Sequence, residues 1–271
     1  LWSSDYSCEA LVGELMVHKN NITYKADLVF VDVTSSSGQN IKKSNDFQNY
    51  LKLKSFNQAL IRAEPVAETK LDLNKLSKNK NNKRVLKFLL NIKAGVPKVP
   101  NASKLTSEQR EKAESAARSK FMNMIKEELS AIFINHGDQA PIGLTGRKIK
   151  LNDPYNLRTF IFYLDFNISR INGFAPGDKL SSGKFRWGNI VIIFAQAATN
   201  NDTLVHEIGH SLTLRHVFDS KAPYTFHQGF SDKVMDYTWQ AISKRANSNK
   251  RMSFTRYQWY KMQKDTSIYR I

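Results

Sequence analysis

The alternation of apolar and polar positions divides the chain into recognisable segments. Residues 22–33, ITYKADLVFVDV, alternate well enough to predict a strand, and the SSSGQN that follows reads as a loop. Residues 46–63, DFQNYLKLKSFNQALIRA, suit a short helix opened by Asp46. The clearest helical period runs over residues 106–134. There Ala113, Ala117, Phe121, Met124, Ile125, Leu129 and Ile132 recur on one face and are expected in the core. Thr106 and Gln109 have the spacing of a capping box, which satisfies backbone amides at the helix start, and Gly137 supplies the stop. Two runs rich in β-branched and aromatic residues, RTFIFYLDF (158–166) and GNIVIIFAQA (188–197), predict buried strands on either side of a Gly-, Pro- and Ser-rich loop. The second run passes through ATNNDT into LVHEIGHSLTL, a helix with Asp202 or Thr203 as its N-cap.

Composition limits the classes open to such a chain. With 271 residues and 41% hydrophobic content it can bury a sizeable core. No stretch approaches the roughly eighteen uncharged apolar residues of a membrane span, so no transmembrane segment is expected. The opening LWSSDYSCEALVGELM has neither an initiator methionine nor the layout of a secretory signal. It reads as a processed or excised piece of a longer protein. Cys8 is the only cysteine, which excludes an internal disulfide; a role as a latency cap on a metal is the sharper reading, an incidental thiol the plainer one.

Net charge is +17, an attraction for nucleic acid, anionic lipid or cell wall, or an acidic partner, although solubility alone accounts for it equally well. Residues 75–104 carry only basic charge and end in GVPKVPNASK. They mark the best domain boundary, between a basic mixed segment at 1–100 and a second domain at 101–271, with the charge run as a solvated face. No internal repeat is visible.

The chemistry concentrates in HEIGHSLTLRH, residues 206–216. Residues four apart share a helix face, so His206 and His210 can aim imidazole nitrogens at one point. Zinc accepts such neutral nitrogens at roughly 2 Å and, in catalytic sites, keeps a position open. Glu207, one residue on, falls beside the metal, placed to take a proton from water and pass it to a leaving amine. His216, ten residues after His206, is where a third ligand is needed once the helix has ended. Asp219 and His227 are the nearby substitutes, whereas His18 and His136 lack ligand spacing. Downstream, KVMDY places Met235 two residues before Tyr237, and Asp236 can anchor that turn through backbone bonds.

Together these features resemble the metzincin zinc endopeptidases, over residues 186–262. The resemblance implies His206, His210 and His216 as Zn2+ ligands and Glu207 as general base. It implies Met235 as the methionine of the turn beneath the metal, and Tyr237 as the tyrosine some subfamilies hold near it. It also implies an α+β fold: a twisted mixed sheet, a long backing helix, an active-site helix and a C-terminal helix in FTRYQWYKMQKD, preceded here by an extra N-terminal α/β segment. Thr213 departs from the pattern, because the family has a left-handed glycine there. A β-branched residue in that conformation costs on the order of 1–2 kcal/mol. Structural zinc binding yields roughly 10–16 kcal/mol, so a strained turn outweighs a lost ligand.

Three functional expectations follow. The first is a zinc-dependent endopeptidase acting on polypeptide or peptide. The second is a metallopeptidase-like toxin or effector domain, delivered outside a producing bacterial cell against envelope protein or peptidoglycan peptide, with an acidic partner or immunity protein. The third, nucleic-acid binding, rests on charge alone; the aromatics interleaved with bases in RMSFTRYQWYK have helical spacing and read as core.

Overall fold

The computed structural model describes residues 21–36, 41–137, 158–169, 171–179, 185–237 and 251–271. Cys8 and His18 lie outside these residues. In chain order the elements are β1 (Tyr24–Thr34), α1 (Phe47–Leu53), β2 (Ile61–Asp72), α2 (Leu73–Ser77), α3 (Lys83–Ala94) and α4 (Ser107–His136). Then follow β3 (Arg158–Leu164), β4 (Gly173–Phe174), β5 (Gly177–Lys179), β6 (Phe185–Trp187), β7 (Ile190–Ile193), α5 (Asn201–Ser211), α6 (Arg256–Met262) and β8 (Ile268–Arg270).

The main sheet is mixed, with strand order β2-β1-β3-β7-β4. β1, β2, β3 and β7 run parallel, and β4 closes one edge antiparallel to β7. β3 covers Asp27–Val33 of β1, and β8 pairs antiparallel with Tyr24–Ala26 along the remainder of that flank. The division at residue 100 drawn from composition runs across this sheet, since β1 and β2 hydrogen-bond into it beside β3.

Strand alternation sorts the interior into two layers. Leu28, Phe30, Ile161, Tyr163, Val191 and Ile193 face a core shared with α5, α6 and the segment around Met235. Val29, Val31, Phe160, Phe162, Ile190 and Ile192 face the opposite core, beneath α3 and α4. Each such side chain, fully buried, is worth roughly 1.5–3 kcal/mol. Helices therefore cover both faces, and the sheet is the partition between a supporting layer and a layer that carries the histidines.

The capping box at Thr106 forms as expected: the Gln109 N–H donates to Thr106 Oγ1 at 3.3 Å, and the Thr106 N–H to Gln109 Oε1 at 3.1 Å. On α4, Phe121, Ile125, Leu129 and Ile132 are buried with Met122 and Phe133, whereas Ala113 and Ala117 are only half-buried. The first turns of the helix thus project past the sheet. The helix expected over 46–63 ends early. α1 stops at Leu53, a short 3-10 turn follows at Phe56–Ala59, and Leu60 at φ 57° turns the chain into β2. Pro65 disguised that strand. It lacks an amide hydrogen, and β2 accommodates it at an edge, beside a register shift opposite Leu28 and Val29. Within the basic stretch, α3 buries Val85 and Phe88 against the sheet while its charges face outward.

Candidate metal centre

α5 begins where Asn200 accepts the Thr203 N–H at 3.0 Å, so the cap is Asn200 and neither Asp202 nor Thr203. Asp202 sits in the first turn, favourable against the helix dipole, and accepts the Tyr50 hydroxyl at 2.5 Å. From Thr203 to Ser211 every residue is buried, because α5 packs its apolar side on β7 and is roofed by the Met235 segment.

The helix ends as a Schellman turn. The Leu214 N–H donates to Gly209 O at 3.0 Å and the Thr213 N–H to His210 O at 2.9 Å. Thr213 has φ 71°, the left-handed conformation in which glycine is usual. Threonine thus adopts the strained geometry instead of re-routing the chain, and buried Leu214 helps to hold it there. The backbone reverses and brings His216 back to the helix.

His206, His210 and His216 converge, with their ligand atoms all within 4.8 Å of one another. His216 Nε2 lies 3.0 Å from His210 Nε2 and 3.3 Å from His206 Nε2. The other nitrogens are engaged: His206 Nδ1–H donates to Val234 O at 2.7 Å and His210 Nδ1–H to Leu214 O at 2.8 Å. Those bonds fix the tautomers and leave the Nε2 lone pairs of both rings directed at the shared point. Burial holds all three imidazoles neutral: His206 far below its ordinary value, His210 down to about 3 and His216 to about 4. Three neutral imidazoles whose Nε2 atoms converge in this way offer the nitrogen donors that a divalent cation takes, so the donor set fits a metal ion.

Glu207 lies beside this cluster. Burial pushes its carboxyl up to about 8, against the opposing pull of the Arg251 guanidinium and the Ala175 backbone amide. β4 passes so close that a Cβ on Gly173 would sit 2.7 Å from Glu207 Cγ, so this position requires glycine. Met235 packs against α5 at Gly209, fully buried, its carbonyl accepting the Val217 N–H at 3.1 Å. The turn is anchored by Asp236, which accepts the N–H groups of Gly229 (2.8 Å), Ser231 (3.0 Å) and Tyr237 (2.7 Å) and the Ser231 hydroxyl (2.7 Å). The Tyr237 ring stands 4.4 Å from that of His216 and 5.5 Å from that of His206, centroid to centroid. Phe218 stacks on His216 at 4.8 Å and also meets the Tyr237 ring at 5.1 Å, so the three rings form one cluster.

The substitutes for His216 are placed elsewhere. Asp219 pairs with Arg215 at 3.0 Å and accepts the Lys221 N–H, while His227 and His136 are exposed. Sequence reasoning missed Gly173, which lay in a stretch read as loop, and Arg251, which no motif marks. Arg251 donates weakly to Asp236 O at 3.4 Å and acts electrostatically on Glu207, His206, His216 and Tyr237. Comparisons of the chain with protein-family models and with curated proteins give no match. The three-histidine cluster and its surroundings are therefore the whole basis for assigning a function.

Proposed function

We propose that this protein is a zinc-dependent endopeptidase of metzincin type, with His206, His210 and His216 holding Zn2+ and Glu207 acting as general base. The observation that carries the reading is the buried carboxyl of Glu207 standing next to three imidazoles whose Nε2 atoms converge. A zinc ion held there supplies Lewis acidity, polarising a carbonyl oxygen and making water easier to deprotonate. Glu207, its affinity for protons raised by burial, accepts a proton from the attacking water and returns it to the leaving amine. Among the described residues β4 ends the order of the sheet beside Glu207, and an extended polypeptide laid along its outer edge would take backbone hydrogen bonds there. Tyr237, its hydroxyl kept protonated first by burial and then by nearby Glu207, stands against the rings of His206 and His216, on the side where substrate would meet the metal. No described helix is long and apolar enough to cross a membrane.

The test is Glu207→Gln. It is expected to retain metal, measured by atomic emission, while kcat/KM for a quenched fluorescent peptide mixture falls by about a hundredfold or more. Undiminished hydrolysis in that variant would dismiss the reading.

A further inference from the structure

Beside His216 opens a cavity of about 210 Å3, bounded by the strap from Thr213 to Val217, by residues 221–224 and by the first turns of α6. That is the space of roughly seven waters at ~30 Å3 each, enough for one amino-acid side chain. Its walls are apolar at Leu214, Val217 and Pro223, and aromatic at Tyr224 and Tyr257, whose rings lie 6.5 Å apart. Every charged side chain lining it is a cation: Arg215, Lys221 and Lys261. Arg215 is engaged by Asp219 at 3.0 Å; Lys221 adds its charge to the same carboxylate from beyond ion-pair distance, and Lys261 lies over the Tyr257 ring at 5.6 Å with no carboxylate in ion-pair distance among the described residues.

Gln258, only 6% exposed, also lines the cavity. Its Oε1 accepts the Thr255 N–H at 2.9 Å in the α6 capping box, which holds the side chain in place at the cavity wall. The cavity thus combines apolar and aromatic walls suited to methylene groups with cationic side chains at its lining.

We propose that this cavity is an exosite for an acidic residue, Glu or Asp, of the polypeptide on which the histidine site acts. Two features support that occupant: the cavity has room for a whole side chain, and the cations of its lining match a carboxylate. The identity of the occupant as substrate rests on the peptidase reading; the carboxylate chemistry of the cavity does not. Because the strap that forms one wall also carries His216, an occupied cavity braces the third candidate ligand.

The experiment uses the full chain carrying Glu207→Gln and loaded with zinc, so that no probe is consumed. Fluorescein-labelled hexapeptide mixtures with a fixed central Glu, Gln or Lys are titrated by anisotropy. The Glu mixture is expected to bind roughly tenfold tighter than the Gln mixture, as a charge-assisted hydrogen bond provides. Adding Lys221→Ala and Lys261→Ala should bring the two within about twofold, and Lys221→Glu with Lys261→Glu should favour the Lys mixture. Circular dichroism and metal content check that these surface changes leave the fold intact. Equal binding of Glu and Gln, or a Glu preference that survives removal of both lysines, overturns the proposal.

In the chain with Glu207 restored, a lower KM for Glu peptides that is lost with the two lysines, at unchanged kcat, supports the substrate as occupant. Equal KM values for Glu and Gln peptides overturn that assignment. Absence of any hydrolysis alongside Glu-selective binding overturns the peptidase reading and supports the cavity chemistry.

Discussion

The sulfur of Met235 occupies the space that a side chain on Gly209 would need: a Cβ there would lie 2.6 Å from Sδ. Helix and turn are therefore fitted to each other at the level of one methyl group. Gly209→Ala should destabilise the protein by up to about 2 kcal/mol, because overpacking at 1–3 kcal/mol offsets or outweighs a helix-propensity gain near 1 kcal/mol. Combining it with Met235→Ala should cost less than the sum of the two single changes, a coupling measurable in a denaturant double-mutant cycle. Additive effects would show that the two sites do not touch.

Thr213 at φ 71° stores strain that glycine would release. Thr213→Gly relieves on the order of 1–2 kcal/mol of left-handed strain, less about 0.4–1 kcal/mol for the extra freedom of the unfolded chain. We expect a thermal midpoint raised by a few degrees, about 2 °C for this size, with metal stoichiometry unchanged. A lowered midpoint would mean that the threonine side chain makes a contribution of its own.

Stability of the metal-free protein should depend on pH in both directions. The histidines have folded values below their ordinary 6.5, so their contribution is complete above that pH and is lost as pH falls towards about 4 for His216 and about 3 for His210. Glu207 has the opposite sign. Its folded value of about 8 exceeds its ordinary 4.5, so its contribution is complete below 4.5 and is lost as pH rises through 8. Chelated protein should therefore be most stable near pH 6.5. In Glu207→Gln the decline between 6.5 and 8 should disappear, which denaturant titrations at stepped pH would reveal.

Arg251 lowers the proton affinity of Glu207. Arg251→Met should raise it, moving the acid limb of the kcat/KM profile to higher pH, while Arg251→Lys should largely restore the original limb. A limb unmoved in the methionine variant would separate Arg251 from the carboxylate.

Much of this architecture could be read from the chain because its signals are local. The helical period of α4, its capping box and the apolar runs of β3 and β7 depend on neighbours within a few residues. The convergence of His206 and His210 follows from one helical turn. His216 was placed by an offset and an energy comparison, and the turn it needs is made by Thr213 in the conformation expected for glycine. Asp236 was read as an anchor and holds four groups of its turn. What escaped depends on distant packing: β2 with its proline at an edge, the premature end of α1 at Leu53, the Asn200 cap, Gly173 against Glu207, and Arg251. None of these leaves a periodic mark, since each is set by what another part of the chain brings alongside.

β1 takes its partners from three remote regions: β2, then β3, and finally β8, where Tyr24 faces Arg270. During synthesis this strand would wait, apolar and unpaired along one flank, until almost everything after it had left the ribosome. A fragment cut at residue 100 would keep that flank bare and stick to its own copies, so this protein has to be made, and handled, as one uninterrupted piece.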